Sequence, residues 1–166
     1  MGYKIQLKDA KKGYTYDQDK IMSPAETVNR FKERTAKLNL DILSQTRRID
    51  NGRLDIPVFF SECGADAKRV TGTNKQMGKG GTPEQSEASA VMELGERFSF
   101  FSFVNRKENF IYATPAELGD KALAFSQIIK SVHDREEDAL KVKPIFDQLP
   151  LQWTKGYNLT RKKEVF

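Results

Sequence analysis

Hydrophobic and polar positions repeat with helical spacing over three segments, and each segment begins with the same boundary signal. The signals are the tetrapeptides Ser23-Pro24-Ala25-Glu26, Thr82-Pro83-Glu84-Gln85 and Thr114-Pro115-Ala116-Glu117. In each, a hydroxyl caps the helix, proline suits its first turn, and the Glu or Gln side chain reaches back to the cap. The pattern therefore predicts helices over residues 24–38, 83–103 and 115–132.

The segments between and after these helices predict strands and turns. The run Ile-Pro-Val-Phe-Phe is typical of a strand, and its proline indicates a strand start or an edge. The further predicted elements are a turn at 50–53, a strand at 56–60, a glycine-rich basic loop at 64–81, a solvated helix or loop over the charged run 133–143, and a hairpin pairing 151–154 with 163–166 around 158–162. Helices combined with hairpins favour an α+β fold, with a mixed or antiparallel sheet packed against helices.

The second predicted helix carries two different faces. Its polar stripe contains Ser86, Ser89, Glu93, Glu96 and Arg97, and its apolar face contains Val91, Leu94, Phe98 and Phe101. Two carboxylates three residues apart on one face repel each other, and Mg²⁺ bound to phosphate oxygens would remove that repulsion. The alternative interpretation is that the stripe is only the solvated face of an amphipathic helix.

The surroundings of that stripe favour a binding site. The aromatic run at 98–103 predicts that the end of the helix is buried, where carboxylates need a metal or an ionic partner. The glycine-rich segment just before the helix contains Lys79 and could bring backbone N–H groups to a phosphate. This segment matches neither a Walker A loop nor a dinucleotide-binding glycine motif.

Composition adds only broad limits to this picture. The chain has 166 residues, with 28 Lys or Arg and 23 Asp or Glu, so its formal net charge is +5. This excess permits an anionic partner without requiring one. A single cysteine excludes an intrachain disulfide, and no apolar run approaches the roughly 18 residues of a membrane span. We therefore expect a cytoplasmic protein with no membrane partner.

The motifs around the second helix resemble the first signature of the YcaO family. The chain reads Gly78-Lys79-Gly80-Gly81-Thr82, then Ser86-x-x-Ser89-x-x-x-Glu93-x-x-Glu96-Arg97-Phe98-Ser99. The family reads G-K-G-x-(S/T), a short spacer, then S-x-x-x-E-x-x-E-R-(Y/F/L)-S. Lys20 and Thr27 are similar to its K-x6-(S/T) element, and 149–166 resembles the strand pair before its second signature. The resemblance covers nearly the whole chain and implies the N-terminal part of the YcaO fold.

This resemblance implies an activity and its cofactors. Members of the family use ATP and Mg²⁺ to activate a backbone amide of a peptide by O-phosphorylation, before a side chain or sulfide attacks to give an azoline or a thioamide. Glu93 and Glu96 would hold Mg²⁺, and Lys20 would contact phosphate as a point charge. No catalytic nucleophile is implied, since charge stabilisation and positioning would drive the reaction. The implied cofactor-binding residues are Lys20, Thr27, Lys79, Ser86, Ser89, Glu93, Glu96 and Arg97.

The resemblance also implies partners and a missing part. The substrate would be a peptide or protein, with a further protein delivering substrate or sulfur, and this chain would belong to the enzyme or to an accessory factor. No second acidic signature follows Glu96, so residues 1–166 are expected to be the N-terminal segment of an incomplete YcaO-type domain with half of an ATP site. Uncovered apolar surface would favour a homodimer.

Two other interpretations stay open. The first is a basic α+β module that binds RNA or an acidic protein without catalysis. Its binding residues would be Lys68, Arg69, Lys75, Lys79 and the bases within 155–163. No aromatic residue within 64–82 is available to stack on single-stranded RNA, so nucleic acid is not expected as a partner. The second is a structural remnant without activity.

Overall fold

The structure is a computed structural model that describes residues 8–9, 11–15, 18–130 and 136–166. It divides after Ser102 into two compact units, each described separately below. Helices are combined with antiparallel strand pairs in both units, which confirms the α+β class. None of the described helices is long and apolar enough to cross a membrane.

The first unit contains a three-stranded antiparallel sheet and three helices. Its elements are β1 (Gly13–Thr15), β2 (Gln18–Lys20), α1 (Pro24–Lys37), β3 (Leu43–Arg48), β4 (Val58–Cys63), α2 (Ala65–Thr71), β5 (Lys75–Lys79) and α3 (Pro83–Val104). The sheet has the strand order β3-β4-β5, and β1 pairs with β2 in a separate hairpin. The turn predicted before β4 is present, with Gly52 at a φ of +71°.

The second unit consists of short elements. They are a 3₁₀ turn (Lys107–Asn109), β6 (Ile111–Ala113), α4 (Pro115–Leu118), a second 3₁₀ turn (Gly119–Lys121), α5 (Phe125–Ile129), α6 (Glu136–Gln148), β7 (Leu151–Trp153), β8 (Gly156–Asn158) and β9 (Lys163–Val165). β6 pairs with β7, and β8 pairs with β9, both antiparallel. The start of the predicted charged run, 133–135, lies outside the described residues. From Glu136 onward the run is a helix whose described side chains are mostly exposed.

The predicted helix starts are confirmed. At α1, the Glu26 backbone N–H donates to the Ser23 hydroxyl at 3.3 Å, and the Ser23 N–H donates to the Glu26 carboxylate at 2.9 Å. Thr114 and Glu117 form the same reciprocal pair at α4. These caps satisfy backbone donors that a helix start leaves unpaired, so a local signal is sufficient to fix the boundary.

One prediction for the first unit is wrong, and one strand of its sheet is not predicted. The segment 64–81 is not a loop, because it forms α2 and β5, and the sequence pattern did not indicate β3. Both outer strands are polar, reading Leu-Ser-Gln-Thr-Arg-Arg and Lys-Gln-Met-Gly-Lys, and both pair in antiparallel register with the more apolar β4. Pairing with that central strand overrides the weak β preference of these residues.

Two predictions for the second unit also need correction. The helix predicted over 115–132 is broken, because Gly119 has a φ of +58° and ends α4 after one turn. The last residues of that predicted helix lie outside the described part of the chain. In the predicted hairpin, the strand before the turn is β8 rather than 151–154, since β7 pairs instead with β6.

The core of the first unit lies between α3, α2 and the start of β3. It consists of Ile42, Cys63, Ala67 and Leu94, which are 0–4% exposed. Val91 on α3 is also fully buried, so the apolar face predicted for this helix is confirmed. Burial raises the pKa of the Cys63 thiol, and this residue has a structural role.

A close backbone contact joins the sheet to α3 at Gly78. A Cβ atom added there would overlap the backbone nitrogen of Ala90 and lie 2.5 Å from the carbonyl oxygen of Ser86. Two fully buried hydroxyls stabilise the contact, one donating from the sheet to α3 and the other from α3 to the sheet. Ser61 of β4 donates to the Ala90 carbonyl at 2.8 Å, and the Ser86 hydroxyl lies 2.9 Å from the carbonyls of Pro57 and Gly78. Glycine and serine at these positions therefore set how closely β5 approaches α3.

We predict that Gly78→Ala destabilises the protein strongly. The added methyl group would meet backbone atoms that cannot rotate away, so the free energy of unfolding should fall by about 3 kcal/mol or more. Urea denaturation measures this change. The matched control is Gly81→Ala, because a Cβ there meets only the flexible end of Gln85 at 3.2 Å. Equal stability of the two variants would contradict the close contact.

We predict that Ser86→Ala lowers stability by about 1–3 kcal/mol. The substitution removes the donor that two buried carbonyl groups share. Thermal unfolding measures the effect, and Ser99→Ala on the same helix is the control. The exposed Ser99 hydroxyl bonds only to the Gly95 carbonyl one turn earlier, so its loss should change little. A Ser86 variant as stable as the Ser99 variant would disagree with the contact described above.

We predict that acid destabilises the protein partly through Asp50. Nε and Nη2 of Arg48 and the Val58 N–H donate to its carboxylate at 2.7–3.0 Å, which holds the pKa of Asp50 well below its usual range. Its contribution to stability is present above the unfolded pKa, about 3.9, and is lost as the pH falls toward the folded value. Asp50→Asn should therefore lose less unfolding free energy between pH 7 and pH 3 than wild type. Glu33→Gln, at an exposed position of α1, is the control for the loss of a carboxylate. If the unfolding free energy of Asp50→Asn falls with pH in parallel with that of wild type, this prediction is contradicted.

Candidate functional site

A pocket of about 540 Å³ lies between β2, the start of α1 and α3. Its lining residues are Lys20, Ile21, Met22, Pro24, Thr27, Gln85, Ala88, Ser89 and Met92. Lys20, Thr27 and Ser89 were all predicted as cofactor-binding residues, and they come from three separate elements. The fold therefore brings together side chains that lie up to 69 positions apart in the sequence.

Local structure accounts for the place of each of these side chains. Lys20 ends β2 and is exposed, so its charge is available at the pocket. Thr27 lies in the first turn of α1, where its hydroxyl donates to the Ser23 carbonyl at 2.9 Å. That hydroxyl would have to rotate to donate to a ligand. Ser89 is exposed on α3, and no hydrogen bond in the described part of the chain uses its hydroxyl.

A second pocket, of about 340 Å³, lies between β5 and α3. Its lining residues are Val58, Met77, Gly78, Lys79, Ser89 and Glu93. Because Ser89 lines both pockets, the two meet along α3. Five of the eight predicted site residues therefore line this pair of pockets, with cations at Lys20 and Lys79 and a carboxylate at Glu93.

The other three predicted site residues lie elsewhere. Ser86 is fully buried, and its hydroxyl is used in the contact with the sheet. Glu96 and Arg97 are exposed and line neither pocket. Arg97 still reaches the site indirectly, since its Nη2 lies 3.9 Å from Oε1 of Glu93, an i,i+4 ion pair on the surface. Solvent weakens such a pair, so Glu93 remains accessible to another cation.

The aromatic end of α3 is less buried than predicted. Phe100 and Phe103 are 55% and 43% exposed. The prediction that this end is buried, so that the carboxylates need a metal or an ionic partner, is therefore wrong. Glu93 is a candidate metal ligand because it lines a pocket.

The donors along α3 fit Mg²⁺ bound together with a phosphate. The described residues contain no cluster of three or more His, Cys, Asp or Glu side chains that could hold a metal alone. Mg²⁺ characteristically takes one or two carboxylates and completes its shell with phosphate oxygens and water. Glu93 and Ser89 supply hard oxygen donors in one pocket, and Glu96 follows on the same exposed side of α3. Lys20 and Lys79 match the charge of a phosphate.

The apolar wall of the larger pocket was not predicted as part of the site. It consists of Ile21, Met22, Pro24, Ala88 and Met92. A sequence signal existed for part of it, because residues 85, 88 and 92 are spaced as one helical face beside Ser89. Ile21 and Met22 follow a strand that local patterning did not indicate, so the sequence contained no signal for them.

Comparisons with known proteins identify a family and a fold for this chain. A family model described as YcaO cyclodehydratase, ATP- and Mg²⁺-binding, matches residues 77–166. A search of curated proteins found no match. Among solved structures, the chain is similar to a heterocyclase in complex with substrate and cofactor, with 21% identity and a TM-score of 0.62. It is also similar to YcaO from Methanopyrus kandleri bound with AMPPCP and Mg²⁺, with 18% identity and a TM-score of 0.53.

These matches differ in what they establish. The two solved structures are matched over 97% and 92% of this chain, and at such identities they show the fold. The chain spans only 23% and 33% of the lengths of those two proteins. The family model covers more than half of this chain and includes the last three residues of β5, all of α3 and every residue of the smaller pocket except Val58. The protein thus belongs to the YcaO family.

Proposed function

We propose that this chain forms one side of the ATP and Mg²⁺ site of a YcaO-type enzyme that activates a peptide backbone amide. The product would be an azoline or a thioamide, and the chain would act in the enzyme itself or in an accessory factor for the same modification. The observation that carries the proposal is the meeting of the two pockets at Ser89. It places Lys20 and Thr27 on one side and Lys79 and Glu93 on the other.

The charges along the paired pockets suit a polyphosphate bound with a metal. Lys20 and Lys79 would hold phosphate oxygens as point charges, with Ser89 donating a hydrogen bond between them. Glu93 and Glu96 would supply the carboxylate oxygens for Mg²⁺, and Arg97 would orient Glu93 through their ion pair. These residues bind and position, and none of them is needed as a nucleophile.

The apolar wall suits the rest of a nucleotide. Met22, Pro24 and Met92 give the larger pocket a surface on which a planar base can pack. When bound, Mg²⁺ and ATP would supply the phosphoryl group that converts the amide oxygen into a leaving group. Support for this assignment comes from the family's description and from the relative whose structure contains AMPPCP and Mg²⁺. A peptide substrate is supported by the heterocyclase, which was solved with a substrate bound.

We expect Mg²⁺-dependent ATP binding that requires Glu93. Isothermal titration of the full chain with ATP should show binding that Glu93→Gln weakens about tenfold or more in the presence of Mg²⁺. With EDTA, Glu93→Gln should bind ATP at least as tightly as wild type, because without the metal the carboxylate only repels phosphate. Lys20→Met should weaken binding under both conditions, since its charge contacts phosphate directly.

Matched variants and competing outcomes make this test decisive. Glu33→Gln removes an exposed carboxylate from α1 and should bind as wild type does. Equal affinity of Glu93→Gln and wild type with Mg²⁺ would overturn the metal assignment. Salt-dependent RNA binding without any response to ATP would favour the basic binding module instead. Rapid ATP hydrolysis by this chain alone would contradict a site that is completed by other residues.

A further inference from the structure

We propose that the outer edge of β5 binds an extended acidic peptide by strand addition, next to the smaller pocket. This inference rests on the proposed function only for the identification of that peptide as the substrate. The binding itself is a property of the β5 backbone and can be measured without nucleotide. Strand addition uses main-chain hydrogen bonds for affinity and alternate side chains for specificity.

The backbone hydrogen bonds of β4 show which of its residues face β5. Val58 uses both of its backbone groups on the side of β3, since its N–H donates to Asp50 at 3.0 Å and its carbonyl accepts from Ile49 at 2.8 Å. Cys63, five residues later, instead donates to the Asn74 carbonyl at 2.8 Å, on the side of β5. Odd-numbered residues of β4 therefore face β5, as the alternation of a strand requires.

The register then shows which groups of β5 point outward. Ser61 is opposite Gln76, and Phe59 is opposite Gly78, so these even-numbered residues of β5 pair with β4. The N–H and C=O groups of the odd-numbered residues point away from the sheet. Those residues are Lys75, Met77 and Lys79.

This outward edge has no strand beside it. In the described part of the chain, β5 is the last strand of its sheet. Among the described residues, the backbone hydrogen bonds that lie outside the helices and strand pairs include none to Lys75, Met77 or Lys79. An edge of this kind presents a row of donors and acceptors that suits another extended chain.

The same edge borders the candidate site. Met77 and Lys79 line the smaller pocket together with Ser89 and Glu93. A strand added to β5 would therefore place its own backbone amides beside the residues assigned to phosphate and metal. The amide nearest Lys79 would be the one presented for activation.

Charge favours an acidic peptide over a second copy of this chain. Lys75, Met77 and Lys79 are exposed and share one face of the sheet. On that face Glu62 of β4 lies opposite Lys75, and Arg47 of β3 lies opposite Phe60, so three cations outnumber one carboxylate. In an antiparallel pairing of two β5 edges centred on Met77, Lys75 of each copy would lie opposite Lys79 of the other, and like charges in that position are destabilising. A peptide carboxylate opposite Lys75 would be attracted, and it would lie four residues, about 13 Å, from the residue opposite Lys79.

Fluorescence anisotropy with labelled synthetic peptides tests this proposal. The probe is an eight-residue peptide rich in Thr and Val whose only charged side chain is one Asp near an end, titrated with the full chain without nucleotide. Two further versions carry backbone N-methyl groups on alternate residues. One version is methylated at the odd-numbered positions and the other at the even-numbered positions. One version should bind at least tenfold more weakly than the probe and the other within about threefold, because only one register faces β5. Equal binding of both versions, or no binding of the probe, would overturn the proposal.

Protein variants locate the peptide on β5. Lys75→Glu should reverse the preference, so that a peptide with Lys in place of Asp binds more tightly than the probe. Met77→Pro removes an outward N–H and no N–H that pairs with β4, so it should abolish peptide binding. Met77→Leu should keep that binding. If Met77→Pro does not fold, the methylated peptides show whether the peptide binds at this edge. Sedimentation that shows a dimer lost in Met77→Pro would identify the edge as a contact between copies and overturn the proposal. If the chain does not bind ATP but binds the methylated peptides in a register-dependent way, the result counts against the proposed function alone.

Discussion

The approach of β5 to α3 at Gly78 is the constraint on which the candidate site depends. With no side chain between them, the backbones of the strand and the helix are in direct contact, and Ser61 and Ser86 hold that contact with buried hydrogen bonds. Lys79 is the next residue of β5, so its position at the smaller pocket follows directly from the contact. Ser89 lies one turn after Ser86, on the side of α3 that the strand leaves uncovered.

One face of α3 packs in the core of the first unit, and another face lines the two pockets. Val91 and Leu94 are fully buried and fix the rotation of the helix against its neighbours. That rotation leaves Ser89 and Glu93 accessible along the pockets, with Ala88 and Met92 forming part of the apolar wall. A helix whose apolar and polar residues are only weakly separated around its axis can thus still present a well-defined binding face. Burial of a few residues is enough to determine its orientation.

Local signals in the sequence predicted the helix starts and the residue types of the site, but not the pairing of the strands. Ser23 and Thr114 mark their helices because capping involves only residues within one turn. β3 and β5 depend on β4 for their hydrogen bonds, which spacing along the chain does not report. Ser86 shows the same limit. Its position on a helical wheel lies near Ser89, but the strand that covers it is visible only in three dimensions.

The burial of Cys63 gives this protein a property useful in solution studies. It is the only cysteine in the chain, it is 0% exposed in the core beside Leu94, and burial raises its thiol pKa. Thiolate is the reactive form, so the folded protein is effectively silent toward alkylating dyes. The native thiol therefore serves as an intrinsic reporter of global unfolding, and a cysteine introduced on the surface can carry a spectroscopic label without competition from it.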